Sequence, residues 1–88
     1  MADILYIKSK YIVEEIANKN LALVKKTKCK AGDILEVSIP LASYAGYANY
    51  VDVVNLNNGM EYKNVSMVVF SKQINWRGGV TLKLIEKK

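Results

Sequence analysis

Three turn signals constrain this chain more than any other feature: Ala31-Gly32-Asp33, Asn57-Asn58-Gly59 and Arg77-Gly78-Gly79. They separate apolar runs of roughly four to eight residues, lengths that suit strands better than helices. Around two of the turns the flanking residues also discriminate between registers. In YVDVVNLNNGMEYK, a two-residue Asn58-Gly59 turn sets Leu56 opposite Glu61 and Val54 opposite Lys63. A three-residue turn, Asn57-Asn58-Gly59, instead sets Leu56 opposite Met60 and Val54 opposite Tyr62. Only the longer turn makes one apolar face, with Gly59 as a left-handed bulge residue. The same test on QINWRGGVTLKL selects a three-residue Arg77-Gly78-Gly79 turn, which matches Trp76 with Val80 and Ile74 with Leu82.

The remaining segments follow the same style. ILYI (4–7) reads as a short strand, and SKYIVEEIAN (9–18) predicts the one helix. Ser9 supplies an N-cap, and Ile12, Val13, Ile16 and Ala17 form a helical stripe. Glu15 and Lys19 add a favourable i, i+4 pair. A strand through Tyr11–Val13 is the competing reading. Residues 21–30 and 34–39 read as strands on either side of Ala31-Gly32-Asp33. In the second, Leu35, Val37 and Ile39 share a face opposite Glu36 and Ser38, and Pro40 ends the ladder. VSMVVF (65–70) reads as a strand buried on both faces.

These elements define one domain over 1–88, β-rich α+β, with about six strands and one short N-terminal helix. Hairpin connections throughout imply a small, strongly bent antiparallel sheet closing into an OB-like or SH3-like barrel. An open α+β sheet with a helix on one face is the alternative. No run approaches the roughly 20 apolar residues of a membrane span, and the Met-Ala-Asp start lacks a secretory pattern. A cytoplasmic protein with no membrane partner is expected. Cys29 is the single cysteine, so no internal disulfide can form, and the chain has no histidine. The flanking lysines 28 and 30 would favour a thiolate at Cys29 if it were exposed, whereas free cysteines are usually buried.

An enzyme is not expected. Without histidine there is no His-based triad, no phosphate-cradling glycine loop occurs, and the eight acids are scattered. Asp33, Glu36 and Asp52 are the acids that folding could bring together. No cofactor or metal site is read from the sequence, since ordinary zinc sites need about four N or S ligands.

The formal net charge is +5, carried by twelve lysines and one arginine. Lysine is a point charge suited to phosphate, so a nucleic-acid partner would be read with little sequence preference. Three features point to such a partner. KKTKCK holds Lys25, Lys26, Lys28 and Lys30. On a strand, the last three project together with about 7 Å between neighbours, near the backbone spacing of a nucleic acid. The plain alternative is a lysine-blocked sheet edge. Trp76 and Arg77 at a hairpin tip offer a stacking ring beside a phosphate contact, with cross-strand packing of Trp76 as the alternative. Tyr44, Tyr47 and Tyr50 fall in LASYAGYANY, a connection longer than the usual hairpin loop.

The leading expectation is a small protein binding single-stranded DNA or RNA through a lysine stripe and a tyrosine-rich loop. The alternative is a protein-interaction or self-assembling module, such as a viral or mobile-element factor docking on a host protein. Tyrosine-rich surfaces also build protein interfaces.

Overall fold

A computed structural model describes residues 6–40 and 50–87. Its elements in chain order are β1 (Tyr6–Ile16), α1 (Ala22–Thr27), β2 (Ile34–Pro40), β3 (Tyr50–Asn55), β4 (Glu61–Ser66), α2 (Met67–Ser71) and β5 (Val80–Lys87). The strands form one antiparallel sheet ordered β4-β3-β2-β1-β5. No ladder joins β4 to β5 among the described residues, so the sheet is open there.

The core lies on one face of this sheet. Val13, Leu35, Val37, Val51, Val53, Val65, Val80 and Leu82 point inward from the strands. Leu23 of α1, Cys29 and Phe70 of α2 cover them. The predicted face of Leu35 and Val37 is therefore correct, with Ile39 packed at its margin. Both helices lie against β3 and β4 and form a second layer.

The helix expected over 9–18 is instead the greater part of β1. Ser9 and Val13 are buried and Tyr11 packs against the core, a period of two, while Lys8 and Glu14 are exposed. A register shift between Val13 and Glu15 then exposes two glutamates in succession and returns Ile16 to the core side. A bulge that shifts the alternation by one residue counterfeits a helical stripe.

The strand expected over 21–30 is also corrected. Its first part is α1, a single short helix in which Ala22, Leu23, Lys25 and Lys26 are good helix formers. Leu23 and Thr27 are its buried pair, four residues apart. The buried strand expected over 65–70 ends at Ser66, whose side chain accepts the Val68 N–H at 3.3 Å and starts α2. Phe70 enters the core, while Val68 and Val69 are exposed.

Both predicted hairpin registers are overturned. Val54 faces Glu61 and Val53 faces Tyr62, so the turn holds four residues, 56–59. Gly59 does take the left-handed conformation, at φ 79°. Residues 73–79 form no hairpin strand for β5, whose ladder partner is β1. The strand total is five and the helix total two among the described residues.

Candidate nucleic-acid interface

The charges separate between the two layers. Residues 17–32 carry five lysines and no acid, and residues 66–79 add Lys72 and Arg77, again with no acid. All seven side chains are exposed. Every described acid except Asp33 lies on a strand, and Asp33 is buried. The face of the sheet away from the helices is mixed in sign: Lys8, Glu36, Asp52, Glu61 and Lys63 line one shallow groove there. Lys63 reaches Glu61 at 3.2 Å and Lys10 reaches Glu86 at 3.6 Å. Asp33 sits in the core layer, away from Glu36 and Asp52, and the three acids form no common site.

Lys25 and Lys26 lie on the last turn of α1. Lys28 is its C-cap, in the left-handed region at φ 51°, and Lys30 follows in the connection to β2. They do not form the evenly spaced strand stripe expected for lysines 26, 28 and 30. They instead crowd around one helix end, where basic side chains also complement the helix dipole.

A helix this short is not stable by itself, and three amide side chains, the buried Gln73 and Asn55 and the exposed Asn58, hold it in place. At its start, Gln73 Oε1 accepts the Leu23 N–H at 2.7 Å. The N-cap residue Leu21 makes no side-chain cap, so Gln73 supplies one from 50 residues away. At its end, Asn55 Nδ2 and Asn58 Nδ2 both donate to the Thr27 carbonyl, at 3.1 and 3.0 Å. Asn55 Nδ2 also donates to Asp33 Oδ2 at 3.0 Å, and that oxygen accepts the Lys30 N–H at 3.1 Å. The backbone beneath the lysines is thus tied to β3 and the turn after it, to Asp33 just before β2, and to the residues after α2.

Trp76 and Arg77 occupy the turn that enters β5. Trp76 is 53% exposed, and its ring packs over Gly78 and Gly79. A Cβ at Gly78 would meet the ring at 2.6 Å, and one at Gly79 would meet the Gln73 carbonyl at 2.6 Å. The cross-strand pairing of Trp76 with Val80 does not occur; Ile74 bridges Val80 instead. Gln73 links this turn to the lysine helix, because its main-chain oxygen accepts the Val80 N–H at 2.8 Å while its side chain caps α1.

Strand register shows which features share an end of the sheet. Ile16 pairs with Val80, Ile12 with Ile34 and Leu35 with Asn55. The lysine segment and the Trp76–Arg77 turn both leave from this end. Tyr50 begins β3 at the other end, roughly 17 Å from Asn55 along the strand, and is 48% exposed. Tyr44 and Tyr47 lie outside the described residues.

Sequence reading missed Gln73, Asn55 and Asn58 as the residues that position the basic helix. An asparagine at an inward strand position, with valines at 51 and 53, is the one signal available for Asn55. Nothing local marks Gln73. No helix among the described residues is long and apolar enough to cross a membrane. No protein-family model, curated protein or solved structure significantly matches this chain.

Proposed function

We propose that this protein is a non-enzymatic binder of single-stranded nucleic acid, reading phosphate with little sequence preference through its helix layer. The observation that carries the reading is the separation of charge. Seven exposed cations lie in residues 17–32 and 66–79, the two stretches that contain both helices and no acid, while the strand acid Glu15 borders Arg77. Lys25, Lys26, Lys28 and Lys30 track the backbone, and Trp76 and Arg77 at the same end of the sheet add stacking and a further phosphate contact. Tyr50 belongs to a separate surface. The test is fluorescence anisotropy of labelled DNA and RNA oligonucleotides at rising salt. Binding should weaken steeply and log-linearly with salt concentration, and no binding at low salt would end the reading.

A second reading, a protein-interaction or self-assembling module, rests on four apolar side chains left about half exposed. Val68 and Val69 stand on α2, and Leu84 and Ile85 on β5. Light scattering after size exclusion distinguishes it: a concentration-dependent mass above the monomer supports self-assembly.

We infer further that the sheet curls toward an SH3-like or OB-like barrel. Register shifts at Lys10/Tyr11, Val13/Glu15 and Val51/Val53 are bending points. Val65 of β4 also shares one core with Val80 and Leu82 of β5. Slow amide exchange along the outer edges of β4 and β5 would support closure.

A further inference from the structure

We propose that the cleft beside Trp76 is a nucleobase pocket that prefers bases carrying an exocyclic amino group. This rests on the nucleic-acid reading above and adds a chemical selectivity that phosphate contacts do not provide. The cleft has a volume of about 500 Å³ and is lined by Glu15, Ala17, Asn75, Trp76, Arg77, Gly79 and Thr81. It combines an aromatic wall, a carboxylate and a guanidinium, and no ion pair joins Glu15 to Arg77.

Each wall is held in place. Gly78 and Gly79 admit the Trp76 ring against their backbone, as no other residues would. Asn75 takes the left-handed conformation at φ 55°, and its Oδ1 accepts the Leu82 N–H at 2.9 Å, which anchors the turn on β5. The Ala17 N–H donates to the Gly79 carbonyl at 3.0 Å and closes the floor between β1 and the turn. Glu15 reaches the cleft because the β1 register shift between Val13 and Glu15 turns it there, opposite Thr81. Bulges are a common means of re-aiming a side chain at a site.

A base stacked on the indole presents its edge to the surrounding polar groups. A carboxylate only accepts hydrogen bonds, so Glu15 favours the amino groups of cytosine, adenine or guanine. Thymine and uracil place carbonyl oxygens where those amino groups would stand, and the carboxylate repels them. Arg77 then meets the adjacent phosphate. The basic segment begins at the cleft itself, since Ala17 lines it and Lys19 follows two residues later.

Trp76 is the only tryptophan, so its emission reports the pocket directly. The full chain is titrated with oligodeoxycytidylate, oligothymidylate and an abasic oligomer of equal length, by anisotropy and by tryptophan quenching. Cytidylate should quench the emission strongly and bind on the order of tenfold more tightly than thymidylate. The abasic strand should bind without quenching. Glu15→Gln should weaken cytidylate binding and strengthen thymidylate binding. A merely electrostatic effect of the removed charge would strengthen both. Trp76→Phe, followed by anisotropy, should retain part of the affinity that Trp76→Ala loses. Binding with equal affinity for all three strands and no quenching overturns this pocket while leaving phosphate binding intact. Absence of anisotropy change with every strand at low salt overturns both readings.

Discussion

Asn55 Nδ2 donates to the main-chain oxygen of Thr27 at 3.1 Å, joining the end of β3 to the end of α1 across 28 residues of chain. The same amide satisfies Asp33 Oδ2, and its own Oδ1 accepts the Asn57 N–H at 2.9 Å. Asn55 is fully buried, so its removal takes a donor from the buried Asp33 carboxylate that water does not readily replace, while the Thr27 carbonyl keeps only Asn58. Asn55→Ala should cost about 2–3 kcal/mol. In urea denaturation the midpoint should fall while the slope stays unchanged, and the Lys28 and Lys30 amides should exchange faster. A loss below about 0.5 kcal/mol would mean the network contributes nothing beyond an ordinary surface contact.

The opposite end of α1 depends on Gln73. Gln73→Leu keeps an apolar stem in the core but leaves the Leu23 N–H without an acceptor. The expected loss is about 1–3 kcal/mol. Gln73→Glu retains an acceptor for Leu23, but places a carboxylate where Nε2 donates to the Val69 carbonyl at 3.2 Å. It should also destabilise, and more so as pH rises through the carboxylate range. Chemical denaturation of both variants at acid and neutral pH checks the pair.

These two clamps explain much of what was legible in the sequence and what was not. The inward face of β2 could be read because Leu35-Glu36-Val37 alternates and both faces have distinct environments. The β3–β4 register could not, because the apolar-matching rule counts Leu56 as core whereas Asn55 takes the buried place. A polar network of Thr27, Asp33 and Asn55 outweighed one apolar match, and its members lie far apart in sequence. VSMVVF carries strand-forming valines, yet a serine side chain bonded to Val68 turns the chain into α2. The candidate site was legible only as residue types: the lysines, Trp76 and Arg77 stand out as exposed basic and aromatic groups. Their common end of the sheet, and the separation of Tyr50 from them, depend on a strand order that local patterns do not encode.

The charge separation makes a directional prediction. Lys25→Glu with Lys26→Glu changes the helix layer, whereas Lys8→Glu with Lys63→Glu changes the mixed face by the same net charge. The first pair should weaken oligonucleotide binding far more, and should lower the salt slope by about 1.4 for two lost single-strand contacts. Equal weakening by both pairs would mean that binding follows net charge and has no defined surface. Circular dichroism of the variants confirms that the fold persists, since all four lysines are exposed.

Gly79 tests the support of the Trp76 ring. An added Cβ would lie 2.6 Å from the Gln73 carbonyl and 2.7 Å from the indole Nε1. The carbonyl is main chain and itself accepts the Val80 N–H, so it has little freedom to retreat. Gly79→Ala should therefore displace the turn, at a cost of about 1–3 kcal/mol. Tryptophan emission should shift in the folded state, a change absent if the ring merely lies free in solvent.

Cys29 predicts a pH dependence confined to alkaline conditions. Burial pushes its thiol above the ordinary value of 9.0, and the nearby Asp33 adds to the rise, against hydrogen bonding with the Thr27 side chain and the backbone. Below that ordinary value both the folded and unfolded chains keep the proton, so this group leaves stability unaffected by pH. Above it, the unfolded chain releases a proton that the folded chain retains. The folded state then binds more protons, and stability falls as pH rises. The contribution of this thiol is isolated by difference from Cys29→Ala. Denaturation midpoints measured from pH 7 to pH 10 should fall more steeply for the parent chain than for the variant. Alkylation by iodoacetamide at pH 8 should likewise be slow until the chain unfolds, because thiolate and access are both scarce in the native state. Rapid alkylation of the folded chain would overturn the buried-thiol account and return Cys29 to the set of reactive surface groups.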